Sequence, residues 1–100
     1  MCVIVSFPLP VVADGVPDAA RQAELLYLLK HDCGSCHGMT RKGGLGPPLL
    51  PADLKDRPRQ LMVNTVLEGR PGTPMPPWRG QLTEQDVRWL VEALLQGEGL

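Results

Sequence analysis

Two cysteines three positions apart, with a histidine directly behind the second, stand out as the residues of this 100-residue chain best suited to chemistry: Cys33-Gly34-Ser35-Cys36-His37. Two thiols at that spacing can add to the two vinyl groups along one side of a porphyrin, and the C-x-x-C-H run is the signature for covalent attachment of a c-type haem. His37 then swings beneath the iron as its proximal ligand. The pattern implies one iron cofactor, held through Cys33 and Cys36, that cannot dissociate.

Two other uses of such a run fit less well. A zinc site needs a second pair of ligands at suitable spacing. Beyond the motif the chain offers only Cys2 and His31, and His31 lies two residues ahead of Cys33. A thioredoxin-type dithiol follows a strand in a βαβ pattern, and no strand-like run precedes Cys33.

An iron held by one histidine takes a sixth ligand, and a methionine thioether raises the potential. Met1 is terminal, Met39 lies too close behind His37 to reach the opposite face, and Met62 falls within a helical pattern as a core filler. Met75 sits in Gly72-Thr73-Pro74-Met75-Pro76-Pro77-Trp78, where prolines fix the backbone and remove donors that would otherwise need partners. His37 and Met75 are therefore the expected metal ligands. The second ring nitrogen of His37 needs an acceptor that fixes its tautomer. Gly43-Gly44-Leu45-Gly46-Pro47-Pro48-Leu49 follows closely enough to loop back beneath the ring, so the Pro47 carbonyl is expected to take that proton. Trp78 and Arg79 either donate to a propionate or, for Trp78, only seal the haem edge; sequence leaves both open. His31 reads as a surface histidine and Tyr27 as a core residue.

Together these residues resemble the class I cytochromes c: C-x-x-C-H near the N-terminus, Gly46-Pro47-x-Leu49, Pro74-Met75-Pro76 and a closing helix, over residues 18 to 96. More narrowly, the chain is similar to the small periplasmic cytochromes c of denitrification gene clusters that encode the dihaem nitrite reductase. That likeness rests on His31-Asp32, Gly43 to Pro47 and Gly72 to Trp78. The resemblance implies an all-α fold, three to four short helices wrapped around one covalently attached haem. It implies a periplasmic electron carrier rather than an enzyme, whose redox partner is the nitrite reductase, or a part in maturing that enzyme's d-type haem. A generic shuttle to a terminal oxidase is the alternative, as is a sensor or peroxidase-like site in which Met75 departs. The family usually carries a glycine and an aromatic residue four apart where its first and last helices cross. Ala23 and Tyr27 have that spacing here.

The elements that must position these groups read as three helices. Pro17 and the set Ala20, Ala23, Leu26, Tyr27 and Leu29 predict a helix over about 18 to 31 that feeds into Cys33. Pro58 and Gly69 bracket a second, near 58 to 68, with Leu61, Thr65 and Leu67 or Val66 inward. Thr83 as cap, Asp86 at the third position and a Leu82–Val87 staple open a third. Its face is Val87, Leu90, Val91 and Leu94, and Gly97 closes it.

Length and 43% hydrophobic content allow one domain, expected over residues 14 to 100. A chain this short has a small core, so a porphyrin should fill much of the interior and the apo form should fold poorly. Residues 1 to 13 carry no charged side chain and are mostly apolar. They are too few to span a bilayer, and Val11-Val12-Ala13 resembles a signal cleavage site, although a basic leader is missing. The mature form is thus expected to be periplasmic, without membrane insertion, and monomeric. The net charge is −1, unevenly spread: residues 41 to 79 hold seven bases against three acids, the rest three against eight. That basic stretch contains both ligand loops and should steer partners. With a pI near 6.0 and no basic aromatic cluster, nucleic acid is not a partner.

Overall fold

The computed structural model describes residues 15–97, and all the regular elements among them are helical. The expected signal segment, residues 1 to 13 with Cys2, lies outside the described residues.

Helix α1, Ala19–Leu28, begins where the Asp18 carboxylate accepts the Arg21 amide at 2.8 Å, satisfying one of the donors that a helix start leaves unpaired. The helix does not stop near residue 31. It widens into a π-helical turn, Leu29–Cys33, where the Gly34 amide reaches back five residues to the Leu29 carbonyl, and continues as α2, Gly34–His37. One extra residue in a turn rotates everything after it by about 100°. Leu29 can therefore face the core while the haem motif is turned onto a different side.

The face of α1 also differs from expectation. Leu25 and Leu29 are 1% and 2% exposed, whereas Tyr27 is 68% exposed and Ala23 is exposed too. The pair four apart that points inward is Leu25 and Leu29, two residues on from Ala23 and Tyr27. Arg21 lies on the same row and fixes its phase, since its guanidinium grips the Asp86 carboxylate with two bonds, of 3.2 and 2.8 Å.

A single turn, α3 (Pro51–Leu54), leads to α4 (Arg59–Glu68), with Pro58 at its N-cap and Gly69 at its C-cap. Val63 and Leu67 are buried. Leu61, expected inward, is 57% exposed; two positions from Val63 is about 200° around a helix, so the two cannot share a face. Met62 packs at the margin of the core, as a flexible filler does.

Helix α5, Glu84–Gln96, is as its sequence predicts. The Thr83 hydroxyl accepts the Asp86 amide at 3.1 Å while the Asp86 carboxylate accepts the Thr83 amide at 3.0 Å. Leu82, Val87, Leu90, Val91 and Leu94 are all buried, and Gly97 ends the helix in the left-handed conformation. Asp86 is thus buried with every bond it needs, and the Arg21 guanidinium holds its carboxyl below the usual carboxylate range. Helices α4 and α1 pack on α5, and among the described residues the buried hydrophobic core is leucine and valine. Trp78, Trp89 and Met62 stand at its edge.

Candidate haem site

The three residues of the motif that react or ligate lie within five consecutive positions, Cys33 at the end of the π turn and Cys36 and His37 in α2. Cys33 packs against the core, and both thiols are half-buried and unbridged. Burial, reinforced by Asp32 and Cys36, pushes the Cys33 thiol up to about 11. A redox dithiol works through a readily formed thiolate, so this environment does not suit one.

Behind the motif, residues 38 to 49 fold back onto α2. The Gly43 amide donates to the His37 carbonyl at 2.9 Å and the Gly46 amide to the Cys36 carbonyl at 2.8 Å; Leu49 bonds to Arg41 at 2.9 Å. His37 Nδ1 lies 2.7 Å from the Pro47 carbonyl oxygen, so the hydrogen bond expected there is present. A carbonyl can only accept, so the proton sits on Nδ1 and the lone pair of Nε2 points away, free for a metal. The approach is close enough to need glycine at 46, where a Cβ would sit 2.7 Å from His37 Cε1.

Met75 is carried by a separate loop, after α4. Its loop leaves the C-terminus of α4 at Gly69, whose φ of +70° and whose 2.7 Å gap between a built Cβ and the Met75 carbonyl exclude a side chain. The Arg70 amide bonds back to the Met75 carbonyl at 3.2 Å. The Thr73 hydroxyl donates to the Arg70 carbonyl at 2.7 Å and accepts the Met75 amide at 3.3 Å. Trp78 and Arg79 amides then return to the Val66 and Leu67 carbonyls, all at 3.1 Å, so the helix end holds the loop. Met75 is half-buried. Trp78 is half-buried against the core, and the Arg79 guanidinium is engaged by Glu68, with Nε 2.6 Å from the carboxylate. Trp78 thus packs on the core beside the Met75 loop, while Arg79 is turned to Glu68 on the surface.

Tyr27, expected in the core, instead stacks on His31 on the outer face of the first helical segment, ring centroids 4.3 Å apart. The π turn and the Arg21–Asp86 clasp escaped sequence reading. For the clasp, the spacing of Arg21, Leu25 and Leu29 was the available signal.

The donor set fits a covalently held haem: two half-buried thiols on one helical turn, an imidazole with its outer nitrogen fixed, and a thioether in a proline-bound loop. The sequence profile of the family described as cytochrome c oxidase, cbb3-type, subunit III matches residues 18–92. The chain is 59% identical over 91 residues to cytochrome c55X of Pseudomonas aeruginosa, covering 91% of this chain and 76% of that one. This chain is a c-type cytochrome. It carries one haem c, attached through Cys33 and Cys36. A solved c-type cytochrome, NirC, superposes on the cytochrome with a TM-score of 0.81 at 58% identity, covering 82% of this chain and 96% of that one. A domain of the dihydro-heme d1 dehydrogenase NirN, solved with DHE, superposes with a TM-score of 0.65 at 38% identity, over 71% of this chain and 15% of that one. The cytochrome is thus all-α and similar to the small c-type cytochromes of denitrification nitrite-reductase clusters, as its motifs imply.

Proposed function

We propose that this cytochrome carries single electrons in the periplasm to the dihaem nitrite reductase, with His37 and Met75 as the axial ligands, Pro47 as the acceptor that orients His37, and Trp78 sealing the edge of the site. The observation that carries this reading is the Nδ1–Pro47 contact of 2.7 Å, which leaves Nε2 as a fixed, basic ligand. When bound, the haem supplies reversible one-electron chemistry at its iron. The chain keeps that chemistry simple. His37 cannot rotate without losing the Pro47 carbonyl, and Met75 is held by the Thr73 and Arg70 backbone bonds. With both side chains engaged, His37 and Met75 would hold the iron and leave no position for a reactant, and the protein would serve as a carrier. The described residues, 15–97, act as one monomeric domain in this reading. No helix among the described residues is long and apolar enough to cross a membrane.

The likeness to the dihydro-heme d1 dehydrogenase domain supports a second reading, in which the same electron traffic serves maturation of the d-type haem. Stopped-flow mixing of the reduced cytochrome with purified nitrite reductase separates the two. Oxidation well above that of an unrelated cytochrome is expected, and a rate no faster than that control shifts the role to maturation.

A further inference from the structure

The loop that carries Met75 runs from Gly69 to Trp78 and contains Pro71, Pro74, Pro76 and Pro77. Each proline locks one backbone torsion, so the loop is stiff along its length and moves, when it moves, by turning about its feet. Those feet lie together. The Trp78 and Arg79 amides bond to carbonyls in the last turn of α4, and a Cβ on Gly69 would stand 2.8 Å from the Pro76 carbonyl carbon and from the Pro77 nitrogen. Glu68 ends α4 and Arg79 is the first residue beyond the loop, and the two meet across its foot. Arg79 Nε lies 2.6 Å from Glu68 Oε1, and a terminal guanidinium nitrogen reaches the same oxygen.

Glu68 is out of place by the electrostatics of its own helix. A carboxylate at a helix C-terminus meets the negative end of the dipole, where a cation belongs, and the last turn of α4 contains no basic residue. Arg79 supplies that cation from across the loop.

We propose that the Glu68–Arg79 ion pair latches the foot of the Met75 loop, so that Arg79 is a positioning residue that sets how often the loop carries its sulfur away from the iron. This rests on the reading of Met75 as axial ligand and says what keeps that ligand in place. The hold reaches Met75 through backbone alone: Glu68 continues into Gly69, and the Arg70 amide bonds to the Met75 carbonyl. Being exposed, the latch is modest and sensitive to salt. Arg59 and Glu92 provide the comparison, because they form a similarly exposed pair between α4 and α5 at the opposite end of α4 from the loop.

Imidazole binding to the oxidised holoprotein in stopped flow reads the latch, because at high imidazole the observed rate levels off at the rate of loop opening. Glu68→Gln is expected to raise that plateau about threefold at low salt, the size of an exposed ion pair, and to match wild type at high salt. A role for Glu68 in its helix alone predicts no rise, since removing the acid relieves the dipole. The reversed pair, Glu68→Arg with Arg79→Glu, should return the plateau to the wild-type value, and Glu92→Gln should leave it there. Met75→Ala separates the latch from the ligand reading: with the iron open, its rate should climb in proportion to imidazole and show no plateau. If Met75→Ala and wild type bind imidazole alike, the ligand assignment falls and hydrogen exchange of the Trp78 and Arg79 amides judges the latch on its own. About threefold faster exchange is expected in Glu68→Gln, and no change in Glu92→Gln. A Glu68→Gln plateau equal to wild type at low salt, unchanged exchange, or a rise just as large in Glu92→Gln overturns the proposal.

Discussion

The two arms assigned to the proposed site, one tying down His37 and one carrying Met75, are built on opposite plans. The His37 arm is polar and cross-bonded: the ring nitrogen is tied to Pro47, and the loop is stitched to α2 through Cys36, His37 and Gly38 carbonyls. The Met75 arm makes no polar bond to the thioether proposed as the second ligand. Its sulfur is positioned only by backbone, through Thr73, Arg70 and the end of α4. An imidazole left without its acceptor loses its hydrogen bond and can rotate, whereas a thioether has no such need. The His37 side is therefore the fixed wall of the site and the Met75 side its replaceable one.

Breaking the fixed wall should have the largest effect. Gly46→Ala places a methyl 2.7 Å from His37 Cε1, and neither the ring nor the loop can yield without losing the Pro47 bond. The expected result is near-complete loss of coloured protein from cells that mature c-type haem. A normal yield with an unchanged spectrum would show that the loop gives way and that the wall is not rigid.

Removing the proposed second ligand should be milder. Met75→Ala should still come out with haem covalently attached, because both thiols and His37 are untouched. Its potential should fall by about 0.1 V or more, within the roughly 0.8 V span that axial ligands command, and its reduced form should take up carbon monoxide that the wild type excludes. A potential unchanged within error, or a wild type that binds carbon monoxide rapidly, counts against Met75 as the ligand.

Much of this contrast was legible in the chain. The fixed arm could be anticipated because its chemistry is local: ten residues separate His37 from Pro47, and glycines and prolines dictate the return. The last helix was equally open to reading, since Thr83, Asp86 and a row of buried leucines and valines carry redundant signals. The first helix was not. Ala23 and Tyr27 have the right spacing for a crossing, but spacing alone does not set phase, and the phase is fixed by a partner 65 residues away, Asp86, that grips Arg21. The extra residue of the π turn leaves no mark in hydrophobic periodicity either, because Leu25 and Leu29 keep the ordinary spacing of four ahead of it and the motif behind it carries no apolar row. Leu61 fails for a related reason: α4 is short, and its inward row of Val63 and Leu67 is selected by what α5 presents.

The Arg21–Asp86 clasp offers the smallest effect on the site and the sharpest control on the comparison, because it braces the frame that bears both arms without belonging to either. Asp86→Asn keeps the shape and the Thr83 cap but leaves the guanidinium without its anion. Removing one partner of a fully buried pair costs about 3 to 5 kcal/mol; Arg21 keeps 35% of its side chain in solvent, so a loss of about 2 kcal/mol is expected here. Because the Arg21 bonds lower the native pKa of Asp86, the carboxylate contributes stability that is fully present above the ordinary aspartate range near ~3.9 and is lost as pH falls through the depressed native value. Urea unfolding of the holoprotein should therefore show wild type and variant separated at neutral pH and converging as acid protonates Asp86. Throughout, the potential and the carbon monoxide response should stay those of the wild type. A variant whose potential shifts along with its stability would mean that the frame and the two arms are one mechanical unit, and the distinction between a fixed and a replaceable side would fail.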